Sequence, residues 1–353
     1  MPLDRIYLTR HGVGDLATPL HRLNWTINYK TGEYKSQFPT ATGNPADPTL
    51  TSHGVRQSFE LATYLVSPSV HPKPFRVYSS PFYRCLQTIQ PGVEALKAKQ
   101  QSADGTIDSL ADLDVRLENG IGEWFGPTSF FHHPSPESPD VLKTHFPNIL
   151  PDDQPSSTST GKKMPHIYPS TRGETIAQLH DRLATALSCI IAEVDAEIAT
   201  VEASQPPSAR TSKAILICSH AAPLIAIGRA LTGRMPEDSS EEDFNVFTAG
   251  LSTFVRRAGG SSAAGDSWSM EDVLAPGTRA GRFPAVQVPD WRGGKGVLGG
   301  WECVANGDCS FLSGGAERGW HFNGEEGFDT GPMALSSASS TTSQQAEWPS
   351  TKL

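Results

Sequence analysis

The sequence predicts an α/β domain built on a mostly parallel sheet, and three observations carry that reading. Strand-like apolar runs alternate with stretches of helical periodicity from Ile6 to Val255. The run Ala214–Cys218 is apolar throughout and bounded by polar residues, as expected of a strand covered on both faces. Several runs give out in polar, chemistry-bearing residues, at the strand ends where open α/β sheets bind their ligands.

The elements follow in order. Ile6–Thr9 reads as a first buried strand, and Leu16–Pro48, rich in Gly, Pro, Thr and Asn, as a long loop. Thr51-Ser52 can cap a helix whose apolar positions Val55, Phe59, Ala62 and Leu65 keep helical spacing. Phe75–Tyr78 is a second strand, and Ser79-Ser80-Pro81 opens a helix to about Lys99, with serine caps and proline in its first turn. Ala111–Leu117 is a third strand before "ENGIGEWFG". Residues 127–169, proline-rich, read as an irregular insertion. Gly173–Val201 spaces Ile176, Leu179, Leu183, Leu187, Ile190 and Ile191 by three and four, an amphipathic helix. After Ala214–Cys218, Ala222–Leu231 forms another helix, and Leu251–Val255 closes the sheet.

The main domain is therefore expected over residues 1–256. Residues 257–300, rich in Gly, Ser and Ala, read as a flexible connector. Residues 301–330 read as a hairpin extension packed on the domain, turning at Asn306-Gly307, and 331–353 as a disordered tail.

Composition narrows the function. No apolar stretch approaches the roughly 20 residues of a bilayer helix, and a net charge of −9 argues against sequence-independent nucleic-acid binding. Five scattered cysteines suggest reduced thiols and a cytoplasmic or nuclear compartment.

The strand ends carry the chemistry. "YLTRHG" sets Arg10 and His11 just past one strand, "ILICSHAAP" sets His220 past another, and "VYSSPFYR" puts Arg84 in the first turn of a helix. Two arginines and two histidines gathered at one sheet edge make a positive site in an acidic protein, and phosphate is its natural ligand. Arginine offers planar, bidentate donors matched to phosphoryl oxygens, and a helix N-terminus adds backbone N–H groups. An acid to protonate a leaving oxygen is also needed, which Glu118 or Glu123 could supply.

These residues resemble the histidine phosphatase superfamily, the phosphoglycerate mutase-like proteins, over roughly residues 5–256. Arg10-His11-Gly12 matches its first motif; Leu50-Thr51, Gly54 and Gln57 match "LT..G..Q"; Ser79, Ser80, Pro81, Arg84, Gln87 and Thr88 match "SSP..R..QT". "RLENGIGEW", "YPSTRGET" and "SHAA" follow in family order. The "NW…TGEY…PTATGNPADPTLTSHG" stretch looks nearer to a eukaryotic branch. That branch includes the suppressor-of-T-cell-receptor-signalling phosphatases and a fungal subunit of the polymerase III initiation factor.

The resemblance implies a three-layer α/β/α phosphoglycerate mutase-like fold with a C-terminal extension. It implies a metal-independent, cofactor-free phosphomonoesterase in which His11 becomes a phosphohistidine, Glu118 donates the proton, and Arg10, Arg84 and His220 hold the phosphoryl oxygens. A third arginine usual in the branch falls at Arg22, behind an apparent insertion, Gly14–His21. The partner expected is a phosphorylated small molecule or phosphopeptide, without nucleic acid or membrane. A phosphomutase uses the same residues, and a non-catalytic scaffold in a transcription complex is the alternative of a different class.

Overall fold

A computed structural model of the chain describes residues 2–14, 25–28, 31–36, 38–102, 105–151, 165–258 and 288–323. Its centre is a six-stranded sheet: β1 (Arg5–Arg10), β4 (Pro74–Ser79), β5 (Val115–Leu117), β6 (Ala214–Ser219), β7 (Leu251–Arg256) and β8 (Trp301–Asp308). The spatial order is β5-β4-β6-β1-β7-β8. The first four of these run parallel, β7 is antiparallel to β1, and β8 is antiparallel to β7. A separate hairpin of β2 (Trp25–Asn28) and β3 (Glu33–Ser36) lies within the stretch expected to be loop.

The period-two alternation of the strands feeds two cores, one on each face of the sheet. Ile6 and Leu8 of β1 and Ile215 and Ile217 of β6 pack with α4 (Ile176–Ala203) and α5 (Ala221–Thr232). Tyr7, Leu216 and Cys218 face the opposite way, against α1 (Ser52–Val66) and α2 (Tyr83–Gln101). The result is the three-layer α/β/α architecture with a mostly parallel sheet.

Helix ends follow their sequence signals with one exception. Thr51 caps α1 by accepting from Gly54 N, and Thr175 with Gln178 forms a capping box on α4. Gly233, in the left-handed region at φ 77°, ends α5. The start of α2 is different: Tyr83 N donates to Asp47 Oδ2 at 2.8 Å, while the Ser80 hydroxyl turns to His220. Along α1, Phe59 is 59% exposed, because the buried stripe runs through Gly54, Gln57, Ser58, Leu61 and Leu65.

The insertion at 127–169 is less irregular than its prolines suggest. It contains α3 (Pro139–His145), capped by Ser138, and buries Leu142, Phe146, Ile149 and Leu150 in the α1/α2 core. Among the described residues no helix is long and apolar enough to cross a membrane.

The C-terminal expectations need two corrections. Trp301–Asp308 is one strand on the main sheet, not a hairpin, and Asn306-Gly307 form a bulge opposite Ser252. Gly307 takes φ 69° there and donates its N–H to Ser252 Oγ at 2.8 Å, which absorbs the extra residue. Within the expected connector, residues 288–300 are packed: Trp291 and Val297 are fully buried beside α4 and α5. Residues 259–287 and 324–353, including the whole expected tail, lie outside the described residues.

Candidate active site

The carboxyl ends of β1, β4 and β6 converge on one point. His11 follows β1 and continues its ladder, donating N–H to Ser219 O at 3.1 Å. His220 follows β6 as the first residue before α5, and Arg84 lies in the first turn of α2. The His11 and His220 rings meet edge to face with centroids 5.3 Å apart.

The family-like motifs find physical roles in holding the His11 loop. Gly12 N donates to Thr88 Oγ1 at 2.9 Å and Val13 N to Gln57 Oε1 at 3.0 Å. Thr51 donates its hydroxyl to Val13 O, and Leu50 N donates to Gln87 Oε1 at 2.7 Å. Gly54 must be glycine: a Cβ there would stand 2.2 Å from Val13 O. The N-termini of α1 and α2 thus clamp the loop from both sides.

Arg84 is buried and anchors the cluster. Its Nη1 donates to Ala46 O at 3.0 Å and contacts Asp47 Oδ1 at 3.3 Å; its Nη2 donates to Glu123 Oε2 at 2.8 Å. Glu123 Oε2 also lies 3.2 Å from His220 Nδ1, and His220 Nε2 lies 2.8 Å from Ser80 Oγ. Burial raises the proton affinity of Asp47, to a pKa of about 6, against the opposing pull of Arg84.

The electrostatics divide the groups. Burial, then the charges of Arg84, His220 and Arg10, push the His11 pKa well below its ordinary value, so its imidazole is neutral near pH 7. Its Nδ1 stands 2.8 Å from Gly12 O, which fixes the proton on Nδ1 and leaves a lone pair on Nε2. His220 moves the other way: burial opposes its charge, but the Cys85 sulfur, 3.6 Å from Nε2, and Glu123 raise its pKa. Burial likewise disfavours the Glu123 carboxylate, yet His220 and Arg84 outweigh it and hold its pKa far below the carboxylate range. His11, Glu123 and His220 present ligand atoms within 4.8 Å of one another, a spacing that suits a metal ion. The guanidinium of Arg84 contacts two of the three, Glu123 and His220.

Of the residues singled out in the sequence, the structure gathers His11, Arg84 and His220. Arg10 stands beside them, with Nη1 donating to Val246 O at 2.9 Å and to Arg318 O at 2.6 Å. Arg22 lies outside the described residues. Glu118 is the correction: both its oxygens are engaged elsewhere, Oε1 by Gly120 N at 2.7 Å and Oε2 by His166 N and Nδ1 at 2.9 and 2.7 Å. The carboxylate touching Arg84 and His220 belongs to Glu123. The 3-10 turn Asn119–Ile121 separates the two acids, and buried Arg182 fixes it by donating to Gly120 O and Gly122 O. Sequence reasoning missed Asp47 and Arg182, since a buried charge on a helix or loop has no periodic signature, and it read Ser80 as a helix cap where the structure makes it a partner of His220.

The fold agrees with the one that the motif resemblance implies. No family model matches the chain. Transcription factor tau 55 kDa subunit of Saccharomyces cerevisiae is 28% identical over 324 residues, 92% of this chain and 59% of the yeast protein. The chain therefore spans under two thirds of that relative's length, and the relative is of the fungal kind expected. Among solved structures, ecdysone phosphate phosphatase from Bombix mori, in complex with tungstate, is 15% identical with a TM-score of 0.46, over 72% of this chain and 92% of that one. A putative alpha-ribazole-5'-P phosphatase from Escherichia coli is 18% identical with a TM-score of 0.35, over 72% and 91%.

Proposed function

We propose that the chain is a phosphomonoesterase working through a phosphohistidine on His11. The observation that carries this reading is the convergence of a neutral histidine with a free Nε2, a buried arginine, a second histidine of raised pKa and a carboxylate at one sheet edge. Neutral Nε2 attacks phosphorus in line as the bond to the leaving oxygen breaks. Arg84 and Arg10 neutralise the equatorial oxygens and His220 hydrogen-bonds them, which is the main electrostatic demand of phosphoryl transfer.

Glu123 supplies the acid. In the free site it is ionised, but a phosphate approaching Arg84 and His220 competes for their charge and raises the carboxylate's proton affinity. Substrate entering as the monoanion brings the proton that Glu123 passes to the leaving oxygen. Water then attacks the phosphohistidine, Glu123 takes its proton, and phosphate leaves with His11 neutral again.

The yeast relative's name favours a second reading, a scaffold in a transcription-factor assembly with a nuclear location. Turnover of p-nitrophenyl phosphate separates the two. The first reading expects hydrolysis by the intact chain and its loss in His11→Ala with unchanged thermal unfolding. Equal rates in the two proteins would remove His11 from the mechanism, and no hydrolysis by either would favour the scaffold.

A further inference from the structure

The C-terminal segment reaches the active site through Arg318. This residue has φ 53°, a left-handed conformation that costs a non-glycine residue on the order of 1 kcal/mol. Glycine is available to this stretch: Gly315 takes φ 67° three residues earlier, and Gly319 follows directly. The strain is held by neighbours on both sides. Glu317 Oε2 meets His53 Nε2 at 2.5 Å and Gln57 Nε2 at 3.3 Å, and Glu317 O accepts from Thr248 N at 3.2 Å. Phe322 is fully buried, edge to face with Trp124. A strained backbone that its surroundings over-determine points to function at that residue.

Two groups of Arg318 face two ways. Its carbonyl accepts from Arg10 Nη1 at 2.6 Å, while its side chain is exposed and makes no ion pair among the described residues. Through that carbonyl the residue adjoins the Arg10 guanidinium at the rim of the site. After burial, the charges of Arg84 and Arg318 lower the Arg10 pKa to about 10, against the opposing pull of Glu123. Like charges on adjoining residues repel, and an arriving phosphate relieves that repulsion.

We propose that Arg318 is a substrate-binding residue, a third arginine that contacts the phosphoryl group from the rim of the His11 site. The assignment rests on the reading of that site as one for phosphate monoesters. It gives the C-terminal extension a part in binding: the segment brings to the pocket a cation that the resemblance looks for at Arg22. A contact at the exposed rim is made equally in ground and transition states, so its loss raises KM and leaves kcat nearly unchanged.

The main-chain link to Arg10 survives any substitution at 318, which makes a clean test possible. Arg318→Gly removes the guanidinium and relieves the backbone, Arg318→Asn removes it while tolerating the same φ, and Arg318→Lys keeps the charge. Binding of inorganic phosphate and kinetics with p-nitrophenyl phosphate are measured on the full chain at two ionic strengths, beside thermal unfolding. The proposal expects both neutral variants to weaken phosphate binding and raise KM about tenfold, as loss of one charge-assisted hydrogen bond does. It also expects kcat to stay within about threefold, Lys to recover part of the loss, and the salt dependence of KM to flatten in the neutral variants. Wild-type phosphate affinity in both neutral variants, or a fall in kcat at unchanged KM, overturns it while leaving the phosphatase reading intact. A wild-type chain that neither binds phosphate nor hydrolyses the ester overturns both.

Discussion

Two glutamates five residues apart illustrate how position decides chemistry at the scale of single residues. Glu118 is 2% exposed and spends its oxygens on Gly120 N and on His166; Glu123 spends one on Arg84 and His220. Glu123→Gln should therefore lower kcat by roughly 10²–10⁴-fold, the range for loss of a general acid, and should also cost stability, because buried Arg84 and His220 lose their anionic partner. Glu118→Gln should lower the unfolding temperature with a smaller effect on kcat; the reverse order of kcat losses would return the acid's role to Glu118. His166 gives a pH dependence. Burial opposes its charge, but Glu118 and Glu193 outweigh burial and raise its pKa to about 9. Its contribution to stability is complete below the unfolded value near 6.5. Between there and pH 9 the native state holds a proton that the unfolded chain has released, so stability falls as pH rises. Chemical denaturation across pH 6–10 should show that decline, at most about 3 kcal/mol, and His166→Gln should flatten it.

At the scale of elements, the helix starts serve as clamps for the loop bearing His11. Gly54→Ala would press a Cβ against the main chain of Val13, with 2.2 Å to its oxygen, so either α1 or the loop bearing His11 must shift. The expected result is a destabilisation of about 1–3 kcal/mol with a loss of activity beyond what unfolding explains, read from kcat and a denaturation midpoint on the same sample. Unchanged kcat would mean that α1 moves and the loop does not. Legibility in the sequence followed the same division. Strands β1, β4, β6 and β7 and helices α1, α2, α4 and α5 were readable because periodicity and caps are local. His11, Arg84 and His220 were readable because each ends such an element. The β2–β3 hairpin was not, since four-residue strands carry too few alternations, nor was α3, hidden among prolines. Glu123 stood open beside Glu118 because a 3-10 turn, not spacing, decides which acid faces inward.

At the scale of the whole molecule, the C-terminal part is continuous with the core. Strand β8 extends the sheet past β7, Trp291 and Trp301 are fully buried, and Phe322 packs against Trp124 and near His180. Asn306-Gly307 looked like a turn and is a bulge because Ser252 and Asn245 lie against it, contacts from a segment some fifty residues away that no local pattern shows. Phe322→Ala should cost about 3–5 kcal/mol, and because Trp124 follows Glu123 directly, it should also disturb the acid's placement and lower kcat. An independent small domain would show a separate unfolding transition; a single transition shifted downward is expected in calorimetry. The most direct test of the central claim is the phosphohistidine itself. Rapid alkaline quenching of the chain with a good phosphoryl donor, followed by peptide mass spectrometry, should find one phosphoryl group on His11 and none in His11→Ala. Turnover by a chain whose quenched peptides carry no phosphoryl group on His11, or carry it on another residue, would contradict the account.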